Sequence, residues 1–102
     1  MVSIITAVHN KLHVNRFYYD FLKKNTEGPY ELIIIDNNSK DGSREFFQHV
    51  ADKVIVNTNN YSFPYCQNQG IKEAKYEYLA FFNNDLLVSK GWDTKIINII
   101  NK

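Results

Sequence analysis

The chain has 102 residues, 44% hydrophobic and 15% aromatic, with a formal net charge of +1. This length suits one small domain with a single core, and the apolar content excludes a disordered chain. Near-neutrality gives no electrostatic reason to expect nucleic acid or an anionic membrane as partner, and no apolar run approaches the ~20 residues that span a bilayer.

Val2 to Val8 reads as a strand, β-branched and apolar, ending at the polar break His9-Asn10-Lys11. The period then becomes helical over Leu12 to Lys24, with Val14, Phe17, Tyr18, Phe21 and Leu22 predicted to face the core. Asn15, Arg16, Asp20, Lys23 and Lys24 fall between them. Asn10 is the predicted N-cap, and Glu27-Gly28-Pro29 the stop.

Tyr30 to Ile35 is the second and most apolar strand, followed by the turn-forming loop Asp36-Asn37-Asn38-Ser39-Lys40-Asp41-Gly42. Ser43 to Val50 is a short helix with Phe46, Phe47 and Val50 inward. Lys53 to Val56 is a third strand, and Asn57 to Phe63 an irregular segment. Pro64 to Lys75 is helical, and its interior Gly70 suggests close backbone approach. Glu77 to Phe82 is the fourth strand, with Phe81 and Phe82 expected in the core. A last helix runs through Trp92, Ile96, Ile97 and Ile100, with Ser89 as its cap.

Strand and helix alternate four times. That order predicts an α/β, Rossmann-like, doubly wound, mostly parallel sheet of about four strands with helices on both faces. A ligand in such a sheet lies across the carboxyl ends of its strands, where the chain reverses direction. Those ends supply His9 and Asn10, Asp36, and the tip Asn83-Asn84-Asp85.

The first strand–helix turn, Ala7-Val8-His9-Asn10-Lys11, has no glycine, so neither the dinucleotide fingerprint nor a P-loop is present. A diphosphate would need another way to neutralise its charge, most simply a divalent cation on a carboxylate. Asp85 suits that role, with Asn83 and Asn84 as neutral oxygen donors or partners of a sugar hydroxyl. Asp36 can accept from a ribose hydroxyl or base N–H, and His9 can stack or donate beside it. Cys66, the single cysteine, rules out an internal disulfide and reads as a packing residue.

Val2-Ser3-Ile4-Ile5-Thr6-Ala7-Val8-His9-Asn10, Glu31 to Ser43, Asn68-Gln69-Gly70-Ile71 and Tyr78 to Asp85 follow one another in an order that resembles the donor-binding half of a family 2 glycosyltransferase of the GT-A fold. The resemblance covers nearly the whole chain, and Asp36 to Ser43 is its most specific part. It implies a nucleotide-diphosphate sugar donor, a Mg²⁺ or Mn²⁺ ion on Asp85, and inverting transfer to an acceptor hydroxyl. It also implies that Ala7, His9, Asn10 and Asp36 hold the base and ribose, and that Asn68 lines the nucleotide side. Asn83 and Asn84 fall to the donor as well. Asn83 stands where the first aspartate of the D-x-D motif is usual, and Ala7 and His9 where proline and tyrosine are common.

No residue matches the family's catalytic base, which belongs to an acceptor half beyond Lys102. The expectation is one domain, residues 1–102, truncated relative to a full enzyme; the base, sugar and acceptor (saccharide, lipid or protein) stay open. A homo-oligomer or partner chain could complete the site. The alternative is a binding module that holds nucleotide or nucleotide sugar without transfer. A phosphoacceptor receiver domain is discounted, because His9-Asn10 and Asn57 stand where its acidic residues belong. Met1 leads into Val2 without a basic leader, so the expected location is cytoplasmic, with any membrane association through a partner.

Overall fold

Strand β1 (Val2–Val8) has a strand on either side, and its side chains are buried on both faces. In the computed structural model, which describes residues 1–101, it pairs with β2 (Tyr30–Asn37) and β4 (Tyr78–Phe81), and β2 pairs with β3 (Lys53–Asn57). All pairs are parallel and the order is β3-β2-β1-β4. Parallel strands are covered on both faces, so the run Leu32-Ile33-Ile34-Ile35 is the expected sequence for β2, and all four side chains are buried.

Helices α1 (Leu12–Asn25), α2 (Ser43–Val50) and α4 (Trp92–Ile100) share one face of the sheet. There Tyr18 and Leu22, Phe47, and Trp92 pack over Val2, Ile4, Val8, Leu32 and Ile34. Helix α3 (Phe63–Glu73) covers the other face, where Cys66 meets Ile5, Ile33 and Ile35. The chain moves outward through α1 and α2, then returns beneath the sheet through α3 to place β4 beside β1. The sheet is therefore doubly wound, with its reversal between β1 and β4.

Gly70 shows why α3 lies so close. A Cβ at that position would run into Ile5 Cγ2, with Cδ1 and Cγ1 each 3.1 Å away. Gly70→Ala is expected to destabilise the fold by about 1–3 kcal/mol through overpacking, despite alanine's ~1 kcal/mol advantage in helix propensity. Urea denaturation of Gly70→Ala, alone and with Ile5→Ala, should show a favourable coupling. Ile5→Val should give less relief, because valine keeps both γ carbons.

Several local expectations are corrected. Asn10 does not cap α1: Asn10 and Lys11 both adopt left-handed backbone (φ 56° and 63°), Lys11 is the N-cap, and its own side chain makes no capping bond. Ser89 does not cap α4; that place belongs to Gly91, at φ 72°. Phe17 and Phe21 are 52% and 37% exposed, whereas Asn15 is fully buried. The inward stripe of α1 is Asn15, Tyr18, Leu22 and Asn25, at helical spacing. Phe81 is exposed, because β4 is an edge strand and alternates its side chains.

Two buried carboxylates hold connections at the amino end of the sheet and along α4. Asp93 Oδ1 and Oδ2 accept the Glu27 and Gly28 N–H groups at 3.0 and 2.8 Å, fastening α4 to the α1–β2 turn. Glu31, at 1% exposure, accepts from Ser3 Oγ and the Lys75 N–H, each at 2.7 Å. No helix among the described residues is long and apolar enough to cross a membrane.

Candidate functional site

At the carboxyl edge of the sheet, β1 runs on to Val8, but β4 ends earlier, where the Phe82 N–H donates to Ile5 O. The last residues of β1 therefore have a strand partner only on the β2 side. This edge is the reversal point of the sheet, the usual ligand position in open α/β sheets.

Two loops at this edge are strapped together. The Asn10 N–H donates to Ser39 Oγ (2.8 Å), and Asn10 Oδ1 accepts the Lys40 N–H (2.8 Å). Asp41 Oδ2 accepts the Leu12 N–H (2.9 Å) and its Oδ1 the Ser43 N–H (3.0 Å). One carboxylate thus serves free N–H groups at the starts of both α1 and α2. Burial works to raise the Asp41 pKa, but bonds from Ser43 and Leu12 outweigh it and hold the carboxyl below its usual range.

Asp36 is fully buried beneath these loops. Its Oδ2 accepts from the Ser39 N–H and from Arg44 Nε, both at 3.1 Å. Arg44 Nη2 also donates to Ser39 O at 3.4 Å. Asp36 Oδ1 has no hydrogen-bond partner among the described residues. A buried acceptor left unpaired costs about 1–3 kcal/mol, so a donor brought to this atom would be stabilising.

His9 is exposed, and its Nδ1 lies 2.6 Å from Asn37 O. A carbonyl oxygen can only accept, so Nδ1 carries the proton and Nε2 is left as an acceptor. Ala7 is half-buried against the cluster of Ile5, Ile33, Ile35 and Cys66. On that face Asn37, Asn57 and Gln69 form an amide knot: Asn57 and Gln69 exchange hydrogen bonds at 2.8 Å, and Asn57 Nδ2 reaches Asn37 Oδ1 at 2.9 Å. Asn68 is exposed on α3, away from the sheet-facing residues Cys66 and Gly70.

The tip after β4 divides by residue. Asn83 and Asp85 are exposed. Asn84 turns inward, and its Nδ2 donates to Asn15 Oδ1 at 2.7 Å. The fold thus brings His9, Asn10, Asp36, Asn83, Asn84 and Asp85 to one edge and leaves Asn68 outside their hydrogen-bond network. Among the described residues no group of three His, Cys, Asp or Glu side chains could hold a metal ion. The exposed donors, Asp85 and Asn83, offer only oxygen from one carboxylate and one amide. Such a set fits a hard divalent ion that brings phosphate oxygens with it, and does not form a cage.

Sequence reading missed Arg44 and Asn15. Arg44 follows the first residue of α2, a position that faces back to the end of β2 in this fold. Asn15 lies three residues before Tyr18 and seven before Leu22, a spacing that marks it as inward. A mainly apolar groove of about 250 Å³ lies between β4 and α4, with Tyr78, Ala80, Trp92 and Ile96 in its walls and none of the rim residues.

A doubly wound parallel sheet with a rim of carboxylates and amides defines a Rossmann-like α/β domain, a class that binds ligands at this edge. The sequence profile of Glycosyl transferase family 2 matches residues 3–102, and the chain belongs to that family. It is 30% identical over 103 residues to an uncharacterized glycosyltransferase of Rickettsia typhi, covering 100% of this chain and 32% of that protein. It is 31% identical over 91 residues to dolichol-phosphate mannosyltransferase of Saccharomyces cerevisiae, covering 81% of this chain and 34% of the yeast protein.

Among solved structures, TarS 1-349 of S. aureus in complex with UDP superposes with a TM-score of 0.83 at 20% identity, over 98% of this chain and 32% of that one. The mannosyltransferase PcManGT of Pyrobaculum calidifontis, in complex with GDP-Man and Mn²⁺, gives 0.76 at 18% identity, over 92% and 30%. These likenesses show the GT-A fold. The chain spans about a third of the length of these two relatives and of each of these two structures' chains.

Proposed function

We propose that this chain is the donor-binding part of a glycosyltransferase and holds a nucleotide-diphosphate sugar across the carboxyl ends of β1, β2 and β4. The observation that supports this most directly is the buried Oδ1 of Asp36 at the end of β2, unpaired among the described residues. A ribose hydroxyl or base N–H would complete it, with the His9 ring and the Ala7–Asn10 turn alongside. Arg44 pairs with the other carboxylate oxygen at 3.1 Å and leaves Oδ1 for that role. Asn68 would approach the nucleotide from the α3 side, and Asn83 and Asn84 the sugar and diphosphate.

The UDP and GDP-Man of the two neighbouring structures favour the same class of ligand, and the Mn²⁺ of one favours a divalent ion. A Mg²⁺ or Mn²⁺ ion on the Asp85 carboxylate, with the Asn83 amide oxygen beside it, would neutralise the diphosphate as it leaves. In the inverting transfer the acceptor oxygen bonds to the anomeric carbon as the bond to the diphosphate oxygen breaks. The hydroxyl proton passes to a general base supplied from outside these residues, by an acceptor half or a partner chain.

Thermal melting with UDP, GDP and dTDP, each with and without MnCl₂, tests the reading. One nucleotide should raise the melting temperature, and more so with Mn²⁺. At one hundred times its Kd a ligand adds about 2.7 kcal/mol of stability. No shift with any of the three, metal present or absent, would overturn it.

A further inference from the structure

We infer that Asn15, buried in α1, is a positioning residue that fixes the Asn83-Asn84-Asp85 tip relative to the loop over Asp36. The inference rests on the donor-binding reading above and assigns a role to a residue outside the ligand's reach. Asn15 is fully buried, and every polar atom of its side chain is engaged. Its Nδ2 donates to Asn10 O and to Ser43 Oγ, both at 2.9 Å. Its Oδ1 accepts from Asn84 Nδ2 at 2.7 Å.

The orientation is dictated by chemistry. Asn10 O can only accept, so the amide nitrogen of Asn15 must face it, and the oxygen then faces the tip. One side chain therefore joins the turn after β1, the first turn of α2 and the tip after β4. The turn after β1 is itself bonded to Ser39 and Lys40, in the loop that closes over Asp36. Ser43 is tied to Asp41, and Arg44 beside it to Asp36. No other side chain among those described bonds directly to the tip and to these loops.

The two ends of a nucleotide diphosphate make separate demands. Base and ribose need Asp36 and His9; the diphosphate and its cation need Asp85. The spacing between these groups must match the ligand, and Asp85 sits on an exposed tip of polar residues. The Asn84–Asn15 bond is what anchors that tip to the nucleotide side. Loss of the bond leaves the Asp36 end intact and lets the Asp85 end drift, so the cation's contribution to affinity should fall selectively.

The test is titration of UDP and GDP into wild type, Asn15→Leu, Asn84→Ala and the double variant, with and without Mn²⁺. Leucine matches asparagine in shape but forms none of the three bonds. The affinity gained from Mn²⁺ should fall about tenfold or more in each single variant, as when a group orienting a metal ligand is removed, while metal-free affinity stays within about threefold in Asn84→Ala, which keeps the Asn15 bonds to Asn10 and Ser43. The double variant should lose no more than the single ones, because both remove the same bond. A purely structural role would lower the melting temperature and weaken binding equally with and without metal; that result overturns the inference.

An unchanged Mn²⁺ gain in folded Asn15→Leu overturns it as well. If that variant does not fold, Asn84→Ala decides: a retained gain overturns the inference and a lost gain supports it. Wild type that binds nucleotide with indifferent variants removes only the role of Asn15. Wild type that binds no nucleotide removes the donor-binding reading and this inference together.

Discussion

Glu31→Ala is expected to destabilise the fold by about 3 kcal/mol, the usual scale for stripping a partner from a buried, hydrogen-bonded charge. The carboxylate sits in the sheet at 1% exposure. Its Oε1 receives the Ser3 hydroxyl and the Lys75 N–H, and Ser3 Oγ in turn receives the Tyr76 N–H at 3.1 Å. These bonds hold the α3–β4 connection against β1 and β2. Lys53 Nζ lies 3.6 Å from Oε2, and also donates to Glu73 O, but its side chain is 38% exposed. Solvent screens that ion pair, so most of the loss comes from the orphaned N–H and hydroxyl and from the cavity.

The same site gives a pH dependence. Burial works to raise the Glu31 pKa, but the Lys75 N–H, the Ser3 hydroxyl and the Lys53 charge outweigh it and hold the carboxyl below its ordinary value of 4.5. Asp93 is likewise held below 3.8: burial opposes this, and the Glu27 and Gly28 N–H groups prevail. With folded values below unfolded ones, the unfolded chain binds more protons in that window. The stabilisation is complete above about pH 4.5 and disappears as pH falls through the lower folded values. Urea denaturation at pH 7 and pH 3 should therefore show the gap between wild type and Glu31→Ala narrowing in acid. A gap that does not change with pH would mean that the carboxylate's charge contributes nothing.

Asp85→Ala should remove the Mn²⁺-dependent part of nucleotide binding and leave the unliganded fold unaffected. Asp85 is exposed, and its carboxylate makes no hydrogen bond among the described residues. Its removal costs the fold little, while a lone carboxylate has no substitute as an ion's anchor. At ligand concentrations where wild type gains about 2.7 kcal/mol, the variant should show only its metal-free shift. Asp36→Asn has the opposite signature. It abolishes the charge that pairs with Arg44, so binding should weaken with and without metal, and the unliganded protein should melt earlier. Calorimetric titration of both variants with Mn²⁺ and the best nucleotide separates the two ends of the site. Identical profiles would show that the assignment of base and diphosphate ends is wrong.

The framework was legible because each strand and helix has a strong local signal. Runs such as Ile33-Ile34-Ile35 suit only a strand covered twice, and Gly28-Pro29 ends a helix wherever it falls. The detail was lost where hydrophobicity and burial part company. In α1 the phenylalanines at 17 and 21 outweigh Asn15 in a reading by apolarity, yet the inward end of that helix meets backbone carbonyls and loop amides. An asparagine satisfies those groups where leucine would leave them bare. The caps were misplaced for a similar reason: successive left-handed residues at Asn10 and Lys11 are set by bonds to a loop 29 and 30 residues away, which no local pattern reveals. Glu31 reads as the polar start of a strand, because its partners come from Ser3, Lys53 and Lys75, each remote in sequence.

The placement of β1 also has a consequence for the order of events in folding. Val2 pairs with Tyr30 on one side and Tyr78 on the other, so β1 is completed only when a strand made much later reaches it. During translation β1, β2 and β3 can zip together with α1 and α2, but the flank of β1 that receives β4 stays bare until the chain has passed beneath the sheet and returned. Distant pairings of this kind close slowly, because the loop entropy is lost before the contacts form. Until β4 arrives, that flank of β1 is an unpaired strand edge, the kind of surface that invites pairing with another chain.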